Sequence, residues 1–317
     1  MWSRLARFRP GQLAAALEQR HVVRTLLMRR TVHLVSAADC LALRSLHQPM
    51  LDGRMQAVLR RRLEGVDLLA LAAAAWPLLH REPQRLPDVA RAVGGRWPQA
   101  AVRDLADALG VLLPLVQTPP RGMWGHRSAP ALNTTVEAWL GRPVDPEPAD
   151  AGALVLRYLA AYGPATSADV RAWSGLTGPP AVLARLAPQL EVLRDEHGRR
   201  LLDVPGLPRP DPDTPAPVRF LPAFDNLVLG FQHRERVVDA GFRHLSVGGA
   251  RFVLVDGRVA GTWSTGPATD GGVRVHVSPL RRLSAPETSE VATEGYRLAS
   301  FLGDGAGGDV VVAAPGA

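Results

Sequence analysis

Between residues 150 and 205 the apolar periodicity switches in a fixed order, and no other segment restricts the fold as tightly. ALVLRYLAAY (Ala153–Tyr162) has helical spacing and stops at Gly163-Pro164, a helix-breaking pair. Thr166 or Ser167 caps a second helix that ends at Gly175. Thr177 caps a third, from Pro179 to Ala187, with proline tolerated in its first turn. Beyond Pro188 the period becomes two, and LEVLRDEHGRRLLDV reads as two short strands around Glu196-His197-Gly198. Three short helices and a hairpin make a winged helix-turn-helix, placed at residues 146–205.

The same order precedes it at residues 51–145. Leu68–Leu79 is helical, and Asp88, Val89 and Gly94 repeat Asp169, Val170 and Gly175 at an offset of 81 residues. Ala100–Leu109 is the third helix of this copy, and LPLVQTPPRGMWG is its hairpin, turning at Pro119–Gly122. Residues 1–50 read as a partial first copy: a helix at Gln12–Arg20, a hairpin turning at Arg29-Arg30, and a helix capped by Ser36. Residues 206–218 form a Pro-rich linker. Residues 219–317 form a β-rich C-terminal domain with an Asp256-Gly257 hairpin turn, a final helix at Pro286–Leu302 and a glycine-rich, frayed end. The fold class is α+β, with tandem winged-helix units and a β-rich C-terminal part.

Charge sorts along the same boundary. All 37 basic residues are arginine, and coding bias accounts for the missing lysine. Residues 1–145 carry 20 arginines against 11 acids, while residues 146–317 carry 17 against 19. A basic half joined to a near-neutral half points to a polyanion, and double-stranded DNA is the expected partner. The apolar fraction of 46% fits an ordinary globular chain. The longest apolar run, Leu68–Leu79, is too short to cross a bilayer, and no signal peptide is evident, so no membrane association and a cytoplasmic location are expected. A single cysteine, Cys40, excludes an internal disulfide. Histidine spacing suits no metal, and dinucleotide, P-loop and GxSxG motifs are absent. The chain is expected to be a monomer without metal or cofactor.

Candidate contacts lie on the first two hairpins. Arg29, Arg30 and His33 sit where a wing tip would meet phosphates or a narrow minor groove. Arg121, Trp124, His126 and Arg127 alternate cations with an aromatic, which suits backbone neutralisation and base stacking. Trp124 reads equally as a core anchor. The Pro179–Ala187 helix carries only Arg185, too few polar side chains for major-groove reading. An operator-reading transcription regulator is the alternative, and this helix speaks against it. Phe224-Asp225-Asn226 reads as a turn rather than a water-orienting pair.

The segments WSRLARFRPGQL, VVRTLLMRRTVHLVSAADC, LVQTPPRGMWG, LRYLAAYGPATSADVRAWSGLT and TPAPVRFLPAFDNLVLG resemble the bacterial winged-helix family that contains the AlkZ-like DNA glycosylases. The resemblance implies three tandem winged helices around a basic channel. It also implies excision of N-alkylated purines or unhooking of interstrand crosslinks. Its catalytic pair is Gln-x-Gln or Gln-x-Asp. No such pair occurs among the glutamines here: Gln12, Gln19, Gln48, Gln56, Gln84, Gln99, Gln117, Gln189 and Gln232. In the family the pair lies upstream of the Trp-Ser-Arg-Leu segment, residues 2–5 here, so this chain is expected to begin after it. Either a start codon has been placed late in a glycosylase, or a shortened member binds DNA without cleaving it. No residue is assigned the catalytic role.

Overall fold

In a computed structural model, residues 1–126, 128–211, 213–268, 271–305 and 307–314 are described. The chain divides into two compact units. One holds Arg7–Ala161 with Ser174–Leu190, the other Met1–Ala6, Tyr162–Trp173 and Glu191–Ala317.

The first unit opens with helix α1 (Pro10–Glu18) and strands β1 (Val22–Leu26) and β2 (Val32–Ser36), which pair antiparallel from Val22↔Ser36 to Leu26↔Val32. The turn between them holds Arg29 and Arg30 at φ 57° and 59°, a left-handed conformation uncommon for residues other than glycine. Ser36 caps α2 (Ala37–Leu59) by accepting the Asp39 amide at 3.0 Å. This helix passes through Pro49 and continues to Leu59, across the expected boundary at residue 50.

Helices α3 (Leu68–Arg81), α4 (Leu86–Val93) and α5 (Val102–Leu112) bury Leu71, Leu79, Val89, Leu105 and Leu109 in one core with Leu51, Met55 and Leu59 of α2. Between and after them run β3 (Gln84–Arg85), β4 (Leu115–Gln117) and β5 (Leu132–Thr135). β4 and β5 are the expected second hairpin, but residues 118–131 join them, so the turn at Pro119–Gly122 is only the start of a long loop. β1 also pairs with β4, at Arg24↔Gln117 and Thr25↔Val116. The result is one five-stranded sheet in the order β2-β1-β4-β5-β3 instead of two separate hairpins.

Arg44 of α2 is 1% exposed. Its guanidinium donates to the Val111 carbonyl at 2.7 Å and the Leu113 carbonyl at 3.3 Å, at the end of α5, and also to Gln48. Burial pulls its pKa down to about 10, still well charged at neutral pH.

Helix α6 (Val136–Leu140) closes on Gly141, left-handed at φ 78°. Helices α7 (Ala151–Tyr162), α8 (Ser167–Ser174) and α9 (Pro179–Leu186) follow in the expected order, then strands β6 (Glu191–Arg194) and β7 (Arg200–Asp203), paired antiparallel.

In the second unit, β8 (Arg219–Phe220), β9 (Phe252–Val255), β10 (Arg258–Pro267), β11 (Val273–Pro279) and β12 (Gly308–Val312) form a sheet in the order β12-β11-β10-β9-β8. The β9–β10 turn has Asp256 and Gly257 both left-handed (φ 48° and 72°), as a two-residue hairpin requires. Short helices α10 (Asn226–Leu229) and α11 (Arg243–Val247) sit in the β8–β9 connection, and α12 (Ala285–Leu302) starts from a Ser284/Glu287 capping box. Part of the segment expected to fray, Gly308–Val312, is a strand. Val310 and Val312 pack inward as β12, parallel to β11, and Gly308 permits the approach, since a Cβ there would stand 2.5 Å from that of Ala299. Residues 1–6 join this unit, with Trp2 packed on Phe301 at 4.7 Å between ring centroids.

Removing the Arg44 side chain would leave two buried carbonyls and a void. Arg44→Ala is therefore expected to lower unfolding free energy in urea by on the order of 3 kcal/mol. Arg44→Met, which fills the void without donating, is expected to recover part of that loss.

Candidate nucleic-acid interface

The strand period of two decides which side chains of the fused sheet meet. Val23 and Thr25 of β1 are buried, at 2% and 1% exposure, and the Thr25 hydroxyl donates to the Leu115 carbonyl at 2.8 Å. Arg24 therefore points to the opposite face. The register then aligns Arg24, Gln117, Asn133 and Gln84 as one polar row across β1, β4, β5 and β3. Arg24 donates through Nε and Nη2 to the Gln117 side-chain oxygen, both at 3.3 Å.

Gly122, at φ 93°, lets the loop after β4 cross this arginine. A Cβ there would lie 2.5 Å from the Arg24 Cδ. The crossing brings Arg121 beside Arg24, where Arg121 also donates to the Ala129 carbonyl at 2.9 Å. Burial first, and the Arg121 charge second, push the Arg24 pKa below its ordinary value. Arg24, Gln117 and Asn133 line a cleft of about 310 Å3 whose wall also includes Arg30 and Asp107. Two guanidiniums held together favour an anion that both can grip, and their planar donor forks suit a phosphate or carboxylate.

The sequence-chosen residues fall into several settings. Arg30 is ion-paired to Asp107 at 2.6 Å and only 16% exposed as a side chain, so it lines the cleft with its charge already matched. Arg29 is half-buried, and its backbone nitrogen lies 3.4 Å from where a Cβ on Gly175 would stand. The first hairpin tip thus approaches the turn after Ser174 at Arg29, while Thr31 beyond it is exposed. His33 places Nδ1 2.9 Å from the Thr31 carbonyl oxygen. Burial, aided by the charges of Arg29 and His47, lowers its pKa in spite of that carbonyl. Arg121 belongs to the Arg24 cluster. Trp124, 36% exposed, and His126, also exposed, lie further along the same loop. Arg127 lies outside the described residues.

Arg24, Gln117 and Asn133 escape sequence reasoning. The alternation in Val-Val-Arg-Thr-Leu sets Arg24 apart from the core, but its partners come from strands about ninety residues away. Elsewhere the basic excess is partly matched: Arg62, Arg85, Arg91 and Arg142 each stand within 4 Å of an aspartate. Among the described residues no cluster of three or more His, Cys, Asp or Glu could hold a metal, and no helix is long and apolar enough to cross a membrane. Asp225 is structural. It caps α10 through the Leu227 amide at 2.8 Å and receives both terminal nitrogens of Arg4 at 2.8 and 2.6 Å.

No curated protein sequence matches the chain. Among solved structures, the Streptomyces sahachiroi DNA glycosylase AlkZ superposes with a TM-score of 0.73 over 96% of this chain and 85% of that one, at 19% identity. That likeness shows the mixed α+β fold. The sequence profile of the family described as "DNA glycosylase AlkZ-like" matches residues 1–301, nearly the whole chain. The protein belongs to the AlkZ-like DNA glycosylase family.

Proposed function

We propose that this family member binds duplex DNA electrostatically and acts on alkylated or crosslinked purines, with Arg24, in its cleft and beside Arg121, as a backbone-phosphate contact. The observation that carries the proposal is Arg24, set in a cleft with the neutral amides of Gln117 and Asn133 and close to the second guanidinium of Arg121. Such a cleft grips phosphate without reading base sequence. The helix–helix–helix–hairpin order of residues 146–205, its counterpart in residues 51–145 and the partial copy in residues 1–50 support a tandem winged-helix reading, in which hairpins and helix ends lie along the duplex.

The chemistry needs little from the protein beyond position. An N7-alkylated guanine is already cationic, so it departs without a strong general acid. What remains is to hold the damaged nucleotide, orient a water toward the anomeric carbon and stabilise the developing oxocarbenium ion. Amide side chains can orient a water without competing as nucleophiles. The family's Gln-x-Gln pair supplies that function, and residues 1–317 contain no such spacing.

Binding measured by fluorescence anisotropy is expected to fall steeply as salt rises, whatever the duplex sequence. Arg24→Ala and Arg121→Ala should each reduce the log–log salt slope by about one and weaken binding roughly tenfold at low salt. A flat salt response, or unchanged slopes in both variants, would remove the cleft from the interface.

Gly122→Ala should reproduce the Arg24→Ala defect, because its methyl group displaces the Arg24 side chain. Gly125→Ala is the control. It shares a positive φ, 77°, but a Cβ there meets nothing within 4 Å, so it should alter stability without altering affinity.

Mass spectrometry for released 7-methylguanine tests the reaction. Release by a chain extended upstream, and none by residues 1–317, is the outcome expected if an upstream Gln-x-Gln is required. Release by both would locate the water-positioning group within the present residues.

A further inference from the structure

Phe224 occupies a backbone conformation that phenylalanine avoids. Its φ is 58°, in a turn position that glycine or asparagine fills at little steric cost. For a bulky side chain such a conformation is strained and persists only when the flanking structure over-determines it. Both flanks do so here. On one side the Leu221 amide donates to the Phe252 carbonyl at 2.8 Å, continuing the sheet edge. On the other, Asp225 caps α10 and is held by both terminal nitrogens of Arg4.

The strained backbone does not place the ring in a core. Phe224 is 59% exposed. One side of the ring edge rests on Gly249, where a Cβ would lie 2.8 Å from the Phe224 Cζ. Gly249 is left-handed, at φ 79°, so the seat as well as the ring uses an unusual backbone. Just before it, Val247 at the end of α11 is 66% exposed, and together the two make an apolar spot facing solvent.

Cations border that spot. Arg234 donates to the Ser246 hydroxyl at 2.6 Å, and Arg243 lies one helical turn before Val247. The Ser246 hydroxyl in turn donates to the Arg243 carbonyl at 2.6 Å, which sets the Arg234 guanidinium beside the start of α11, and burial together with the Arg243 charge depresses the Arg234 pKa. Arg243 keeps one acidic partner, Glu235, at 3.0 Å. An exposed aromatic face beside clustered guanidiniums matches the two halves of a nucleotide, a flat base and an anionic phosphate.

We propose that Phe224 is a nucleobase-contacting residue, its ring stacking on an unpaired or displaced base while Arg234 and Arg243 face the adjoining phosphate. This deepens the DNA-binding reading above and rests on it. An unpaired base is the fitting partner because its π-face is free, whereas a paired base presents only an edge to a groove.

The test compares a fully paired duplex with the same duplex carrying one unpaired adenine, for wild-type protein, Phe224→Gly, Phe224→Asn and Phe224→Trp. Glycine and asparagine both accept the left-handed backbone, so these variants remove the ring without adding strain, and two of them guard against one misfolding. Both are expected to lose about 5- to 150-fold in affinity for the unpaired-base duplex. They should keep wild-type affinity for the paired duplex and an unchanged salt slope. Phe224→Trp should retain binding. With 2-aminopurine at the unpaired position, wild type should quench the fluorescence more than Phe224→Gly does.

Equal affinities of wild type and Phe224→Gly for the unpaired-base duplex would overturn the proposal while leaving DNA binding intact. Equal losses on both duplexes would assign the ring a structural role and overturn it too. Wild-type protein that binds neither duplex would defeat the DNA reading itself, and this inference with it.

Discussion

The pairing of Val22–Leu26 with Leu115–Gln117 holds the first unit together in a way no local signal enforces. Few ladder positions are shared, and the Thr25 hydroxyl reinforces them from the buried face through the Leu115 carbonyl. Side chains alternate along a strand, so a slip of one residue would turn Val23 and Thr25 outward and drive the Arg24 guanidinium into the core. Burying an unmatched guanidinium is far more costly than the few hydrogen bonds of a short strand pair. Register is therefore fixed by where the arginine can go, and the same choice sets the Arg24, Gln117, Asn133 and Gln84 row.

A second arginine keeps the helices in step with that sheet. Arg44 reaches from α2 to the Val111 and Leu113 carbonyls, where α5 ends and the chain turns toward β4. Helix ends leave carbonyls without intrahelical donors, and a buried end must find them elsewhere. A neutral donor with shorter reach could meet one of these carbonyls but not both. One nitrogen of the guanidinium, Nη2, meets both carbonyls while Nη1 bonds Gln48, so the group ties α2 to the end of α5 and to the approach to β4.

Local chemistry explains what could be read from the chain. Gly163-Pro164, Gly175 and Asp256-Gly257 each force a specific backbone event, and the helices and hairpin around them fall where the periodicity puts them. What could not be read depended on distant partners or on very short elements. Gln84-Arg85 has no period of its own and is a strand only because Leu132 and Asn133 lie opposite. Gly308–Val312 looks like a loose end until Ala299 and Val273 provide a wall for it. Within the site, Arg121 was visible as a cation in a turn-rich loop. Arg24 was hidden inside a strand, and the pairing of Arg30 with Asp107 joins residues that no motif connects.

Because the chain has no lysine, guanidinium must serve in cores, in ion pairs and at surfaces alike, and a count of arginines is a poor map of where DNA would lie. The sign of the neighbours discriminates better. Where an arginine faces an acid, as Arg30 faces Asp107, the fold has already neutralised it; where one faces another arginine, as Arg24 faces Arg121, the arrangement gains from an anion supplied from outside. That distinction also constrains which part of a substrate belongs in the cleft. An alkylated purine ready to depart is itself cationic, and a pair of guanidiniums would repel it. The Arg24–Arg121 pair, on the proposed reading, therefore suits phosphate rather than the damaged base, whose surroundings should be neutral, such as amides or aromatic rings. On the proposed reading, the two functions require separate surfaces, one cationic for the backbone and one uncharged for the lesion.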